Sequence, residues 1–324
     1  MRTHDGLELT VRPRGPEDAP VTVVLAHCWT ADQDDWHYQV RDLLDAFGHD
    51  VRVLTWDHRG HGTSDTAPLD ACTIENLGRD MADVIDTYAG TGRLVIAGHS
   101  IGGMATMALA EQRPDILART DGVIFCSTSA GDLDSVTLGL PESGRWIKDR
   151  IPRLLAARAR LLSRRVRRRS PWMETQVVHR FLFGHPTRLR DCGLVIDQLI
   201  TCPPETMEGF YRDFMAHDRV SALVAFEGIT TRVLVGDRDA LTPVHHARTV
   251  ATHISTARLV IAPGAGHMLP LERDRLVSDE LAALVTASLA SASDRSAVAR
   301  PVNGQVADVL RRPTRTTPSS TRTS

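Results

Sequence analysis

Short, nearly all-apolar runs recur along this chain at residues 21–26, 51–56, 94–97, 122–125, 232–235 and 258–261. A strand with one face in water alternates, because successive side chains point to opposite faces. A run that stays apolar is covered on both faces, as in a parallel sheet packed between helices. Between several of these runs, at 36–47, 77–88, 101–112, 243–253 and 276–289, apolar residues recur every three or four positions, the period of an amphipathic helix. Strand and helix in alternation, joined by right-handed crossovers, predict an α/β protein with an open, mostly parallel, doubly wound sheet. Residues 7–12, with a Pro/Gly turn at 13–20, read as an antiparallel edge strand beside the run that begins at Val21.

The alternation stops at about residue 132, and helical patterns follow one another with no strand-like run until about 222. This block, 132–222, is expected to be a helical cap inserted between a first part of the sheet domain, 1–131, and a second, 223–290. Within it, residues 145–169 carry eleven basic residues against the single acid Asp149, with Ile151, Leu155, Leu162 and Val166 along one helical face. That is a basic amphipathic helix with two readings. It is the solvated outer face of a lid, or its arginines draw an anionic substrate or an anionic lipid surface to the mouth beneath. From residue 291 the chain turns to Ser, Thr, Arg and Pro, and a disordered tail, 291–324, is expected.

Composition removes several classes of function. An apolar share of 42% and a charged share of 24% over 324 residues are those of a folded globular chain. A formal net charge of −2 gives no overall footprint for nucleic acid. Cys28, Cys72, Cys126, Cys192 and Cys202 are odd in number and scattered, with neither C-x-x-C nor zinc-ligand spacing, which fits a reducing compartment. The first residues lack the apolar core of a signal peptide, and no stretch is long and apolar enough for a membrane span. A cytoplasmic protein is expected.

The chemistry concentrates at Gly98-His99-Ser100-Ile101-Gly102, which runs from a buried strand into a helical pattern. G-x-S-x-G in that setting forms a sharp turn. It lifts the serine hydroxyl above the sheet at a helix N-terminus, where the Ile101 amide favours a developing oxyanion. A serine needs a base, and the base needs a carboxylate to orient it. Both follow in order: Asp237 and Asp239 after the run 232–235, then His267 in Gly264-Ala265-Gly266-His267 after 258–261. Asp132 and Asp134, after the strand that ends near 125, are further candidates for the acid. G-x-G-x-x-G and a Walker lysine are both missing, which argues against nucleotide binding.

Five places together make residues 5–290 resemble the α/β-hydrolase superfamily: Ala26-His27-Cys28-Trp29, the loop 56–64 with Asp57, Arg59, Gly60, His61 and Gly62, the Ser100 turn, Gly236-Asp237-Arg238-Asp239, and Gly266-His267. The resemblance implies an α/β-hydrolase fold with Ser100 as nucleophile, His267 as base and then acid, and Asp239 as the carboxylate. Trp29 and Ile101 are implied as oxyanion donors, with His27, Cys28 and His99 as supports of the loops or the substrate. Asp57, Arg59 and His61 are taken to tie their glycine-rich loop, and His245 and His246 to lie on the surface. Cys28 departs from the family's His-Gly at this point, either lining the pocket with its thiol or standing in as a small buried residue. A serine rather than an aspartate at position 100 excludes the dehalogenase and epoxide hydrolase branches. The expectation is a serine hydrolase that cleaves a carboxylic ester or thioester of a small to medium hydrophobic acyl substrate, with no cofactor and no metal. A C–C bond hydrolase, an acyl transferase or cyclase, and a non-catalytic receptor are the alternatives.

Overall fold

Residues 1–136 and 143–298 are described by a computed structural model. Seven strands, β1 (Val11–Arg14), β2 (Val21–Ala26), β3 (Val51–Trp56), β4 (Arg93–His99), β5 (Thr120–Cys126), β6 (Thr230–Gly236) and β7 (Arg258–Ala262), form one sheet in the order β1-β3-β2-β4-β5-β6-β7. Every neighbouring pair is parallel except β1 with β3. Five of the six apolar runs are inner strands, and β2 and β3 are buried at every position. The sixth, 258–261, departs from expectation, since it is the border strand β7, where Arg258 and Ile261 are exposed. The edge strand departs from expectation: it is Val11–Arg14, and it pairs with β3 rather than β2. Both edges of β2 are taken by the parallel strands β3 and β4, which leaves β3 as the open border. Pro13 is tolerated there because an edge strand can spare one donor.

Helices cover both faces. The helices Ile74–Tyr88 and Ile101–Gln112 put Leu77, Met81, Met104 and Ala108 against one side of the sheet. On the other, His37–Phe47 and Asp274–Val298 contribute Leu43, Val277, Leu281 and Leu284. Each such leucine or methionine removed from water contributes about 1.5–3 kcal/mol, so both layers are held by burial more than by helix propensity. The last helix corrects the expected tail, because it continues past residue 291 to Val298. The segment Ala290-Ser-Ala-Ser-Asp-Arg-Ser-Ala holds no glycine or proline to stop it. The remainder of the expected tail, 299–324, lies outside the described residues.

Between β5 and β6 the described residues form helices and turns, including Ser143–Leu161, Arg164–Arg169, Trp172–Val177, Leu189–Thr201 and Pro204–Met215. The arginine-rich segment is therefore two helices rather than one, broken at 162–163, with Ser163 in extended conformation at the start of the second. Because β2, β4, β6 and β7 run parallel, the loops that leave their carboxyl ends open on one rim of the sheet, where open α/β sheets bind ligands.

Candidate active site

The turn after β4 holds Ser100 at φ 53°, ψ −115°, a conformation that L-residues avoid and that costs about 1–3 kcal/mol. The turn closes because its neighbours are glycines. A Cβ on Gly98 would lie 2.4 Å from Gly102 and Gly103, and one on Gly102 would lie 2.3 Å from the Ala26 carbonyl oxygen. The Ser100 amide donates to the Cys126 carbonyl at 2.9 Å, and Thr128 Oγ1 donates to the Ser100 carbonyl at 2.7 Å, so both sides of the strained residue are pinned.

His267, on the loop after β7, donates from Nδ1 to Asp239 Oδ2 at 2.9 Å. Asp239, on the loop after β6, also accepts from the amides of Leu241 and Thr242, each at 2.9 Å, and from Thr242 Oγ1 at 2.8 Å. Burial works to raise the Asp239 pKa. The charge and hydrogen bond of His267 and the two donors of Thr242 outweigh it and hold the carboxyl below the usual carboxylate range. With Nδ1 committed to a carboxylate, the neutral ring carries its lone pair on Nε2. Ser100 and His267 line the same cavity, and their side chains share no hydrogen bond. Thr242 is a partner of this acid that sequence reasoning missed.

Cys28 and Trp29 follow β2. The amides of Trp29 and Ile101 have no hydrogen-bond partner among the described residues. Cys28 is accommodated because the left-handed residue of this loop is Thr30, at φ 64°, and not position 28. The Cys28 thiol lines the cavity. Burial first, and then the Asp35 carboxylate, push it well above its ordinary value, so it stays protonated and is a poor nucleophile. His27 ties loops together: its Nδ1 donates to the Cys28 carbonyl at 2.8 Å, and its Nε2 accepts from the His58 amide at 2.8 Å. Burial holds its pKa well below the ordinary imidazole value.

Asp35 helps to join three of these loops, and nothing in the sequence pattern singled it out. Its Oδ2 accepts from His99 Nδ1 at 2.7 Å and from the Cys28 amide at 3.2 Å, while His99 Nε2 donates to the His267 carbonyl at 2.9 Å. One fully buried carboxylate–imidazole pair thus links the loop after β2, the serine turn and the histidine loop. Burial acts to lower the His99 pKa, but the charge and hydrogen bond of Asp35 raise it above the ordinary value. Cys28, Asp35 and His99 are also close enough together to suggest a metal site. Both ring nitrogens of His99 are donors, however, so that group offers an ion no imidazole lone pair.

Losing the Asp35 charge should therefore be felt in two ways. Asp35→Asn is expected to cost about 3–5 kcal/mol, a fall in Tm on the order of 10 °C, because it leaves a buried partner unpaired. Stability that comes from the raised His99 pKa is fully present below the ordinary imidazole value of about 6.5 and is lost as pH climbs through the folded value. Thermal melts on the alkaline side of neutrality should show that loss in the parent chain and a flatter profile in the variant. Equal slopes would remove the ion pair from the account.

The other candidates lie elsewhere. Asp237 is exposed and accepts from the Gly264 amide at 2.7 Å, holding the turn before His267. Asp132 and Asp134 border a separate hollow with His217. Asp57 accepts from Gln33 and Thr63, Arg59 pairs with Asp80 and Asp5, and His61 Nδ1 contacts the Arg59 carbonyl, all within the loop 57–63 or its neighbours. His245 is exposed, but His246 is buried against Ser129 Oγ at 2.8 Å, a correction to the expected surface position. Its helix begins at Val244, and the first turn rotates His246 inward toward the loop after β5.

The cavity encloses about 120 Å³. Around Ser100 and His267 its wall is almost entirely apolar, with Met104, Leu155, Phe181, Leu199 and Phe214 among its residues, and no Asp, Glu, Lys or Arg lines it among the described residues. Trp29, Tyr211 and Phe214 form one aromatic group, with ring centroids 5.2–5.9 Å apart.

The family model described as alpha/beta hydrolase family matches residues 23–280. Among curated proteins, the bifunctional esterase/perhydrolase DCH of Acinetobacter calcoaceticus is 37% identical over 103 residues, 32% of this chain and 35% of that protein. The 3-oxoadipate enol-lactonase 1 of Acinetobacter baylyi is 35% identical over 109 residues, 34% of this chain and 38% of that protein. The chain thus matches little more than a third of the length of these relatives. Among solved structures, a thermophilic esterase from Thermogutta terrifontis superposes with a TM-score of 0.69 at 26% identity, covering 89% of this chain and 96% of that one.

Proposed function

Since the chain belongs to the alpha/beta hydrolase family and carries a hydrolase fold, we propose that it is a serine hydrolase cleaving carboxylic esters of small to medium apolar acyl groups. The observation that carries this reading is the His267–Asp239 pair, whose tautomer leaves Nε2 as a base in the cavity that Ser100 also lines. Ser100 Oγ attacks the acyl carbon as His267 Nε2 takes its proton, and Asp239 stabilises the imidazolium without taking the proton itself. The amides of Trp29 and Ile101 receive the oxyanion, aided by the N-terminus of the helix Ile101–Gln112. His267 then returns the proton to the leaving alcohol, and water, activated by the same ring, clears the acyl-enzyme. The helices between β5 and β6 act as a cap, supplying Ile151, Leu155, Leu199 and Phe214 to the acyl pocket.

Size and polarity of the cavity narrow the substrate. A dry, leucine-lined hole of about 150 Å³ admits a benzene ring, so 120 Å³ suits a short alkyl or aryl acyl group. A carboxylate would enter without a cationic partner, at a cost of several kcal/mol. Nitrophenyl esters of short fatty acids and of benzoic acid are expected to turn over with a burst. A half-ester bearing a free carboxylate should have a kcat/KM lower by about two orders of magnitude or more, as one unpaired charge demands. Covalent labelling by a fluorophosphonate without turnover of any of these esters would instead favour the C–C hydrolase or acyl-transfer reading.

A further inference from the structure

The helix Ser143–Leu161 has two working surfaces. Ile151, Pro152 and Leu155 line the acyl cavity, while Leu154 and Leu161 point outward and are 54% and 82% exposed. Seven residues apart, the two leucines stand one above the other on the same face, two turns along the helix. Arg153 and Ala157 are exposed beside them. Past the break at 162–163 come Val166, 46% exposed, and Trp172, 59% exposed, whose ring lies 5.8 Å from the Arg158 guanidinium carbon. A succession of large apolar side chains open to water marks a surface that something covers.

Charge decides what can cover it. Residues 150–172 hold nine arginines and no acid. Arg158 is paired with Glu174, Arg160 with Glu205 and Glu208, and Arg168 with Asp197, so these bind the cap helices to one another. Arg153, Arg164, Arg165 and Arg169 are exposed, with no carboxylate within 4.0 Å among the described residues. A second copy of this face would set arginine against arginine. The chain's own residues 299–324 bring five further arginines against the single Asp308, and so are repelled as well. Nucleic acid or an acidic protein would answer the arginines but not the leucines and tryptophan set among them. A bilayer with anionic headgroups answers both, with phosphates at the depth of the guanidinium groups and acyl chains below for the apolar side chains.

We propose that the outer face formed by Arg153, Leu154, Leu161, Arg164, Arg165 and Trp172 docks on an anionic lipid surface. The inner face of the same helix walls the acyl cavity, so docking sets that cavity beside the phase in which apolar esters collect. The docking does not depend on the catalytic reading and is measured without turnover.

The test uses the full chain and vesicles of ether-linked phosphatidylglycerol, which no esterase can consume, beside ether-linked phosphatidylcholine. Co-sedimentation with the anionic vesicles is expected to exceed that with the neutral ones by about tenfold or more, and to collapse as salt is raised toward about 1 M, where charges are screened within about 3 Å. Tryptophan emission should shift to the blue on binding, and Trp172→Phe should remove the shift. Leu161→Glu, and separately the pair Arg164→Glu with Arg165→Glu, should each weaken binding by about tenfold, with Tm and turnover of a water-soluble ester unchanged. Val224→Glu, at an apolar residue 70% exposed outside these helices, should leave binding intact. Equal binding to both vesicles, or none, would overturn the proposal. So would binding that survives both sets of cap variants, which would assign it to the arginines beyond residue 298, or retention on RNA or polyglutamate with none on vesicles.

Discussion

Ser100→Ala is expected to lower kcat for a nitrophenyl ester by roughly 10⁴–10⁶-fold, with KM changed little, and to abolish both the burst and labelling by a fluorophosphonate. The contrast between kcat and KM follows from where the hydroxyl sits. The cavity is walled by apolar residues such as Leu155, Leu199 and Phe214, whose burial of an apolar acyl group needs no hydroxyl at position 100, so ground-state binding should survive. What goes is the bond that forms only on the way to the tetrahedral intermediate. Alanine tolerates φ 53° no better and no worse than serine, so the turn and the Tm should be retained, and a loss of activity cannot be ascribed to unfolding. Residual turnover would come from the oxyanion amides and the cavity alone. Labelling that persists in the variant would move the nucleophile to another residue. Cys28 lines the same cavity, but burial keeps its thiol protonated.

The parts of the site that were legible in the sequence are those where local backbone demands dictate residue type. A strand-to-helix turn that holds its central residue at positive φ requires small neighbours, and Gly98 and Gly102 announce it. Strands buried on both faces must be nearly all apolar, and for this reason β2 and β3, whose only polar residues are Thr22, Arg52 and Thr55, coincide with the runs 21–26 and 51–56. Asp35 had no such signature. It sits in a 3-10 turn, Gln33–Trp36, before a helix, where acids are common for helix-dipole reasons, and its partner His99 is 64 residues away. Thr242 likewise reads as an ordinary loop residue until its hydroxyl is seen on Asp239. The pairing of β1 with β3 escaped because an edge strand is chosen by which border remains open after the parallel strands have assembled, a fact of the whole sheet. His246 was misplaced for a related reason: helical phase at a helix's first turn depends on a start point that periodicity locates only to within a residue or two.

Asp239→Asn should be nearly as damaging as the serine variant, and its hydrogen bonds show why an isosteric change does so much. Oδ1 of Asp239 accepts from two backbone amides, Leu241 and Thr242, neither of which can turn away. An asparagine must therefore place its carbonyl oxygen there, which puts its NH₂ at the Oδ2 position, facing His267 Nδ1. A donor now meets a donor, and the ring relieves the conflict by moving its proton to Nε2, where it can no longer accept from Ser100. The expected outcome is a fall in kcat of about 10⁴-fold, with labelling slowed in proportion. Asp237→Asn serves as the comparison. Its carboxylate holds the Gly264 amide and does not touch the ring, so turnover should stay within about twofold. The acid limb of stability supplies a second reading of the same pair. The folded Asp239 carboxyl lies below its ordinary value of about 3.9. The stability it contributes is therefore complete above that value and is lost as pH falls through the folded one. Melts taken below about pH 4 should show this loss in the parent chain and not in Asp239→Asn. A variant that kept its turnover, or a parent whose acid limb matched the variant's, would take Asp239 out of the triad.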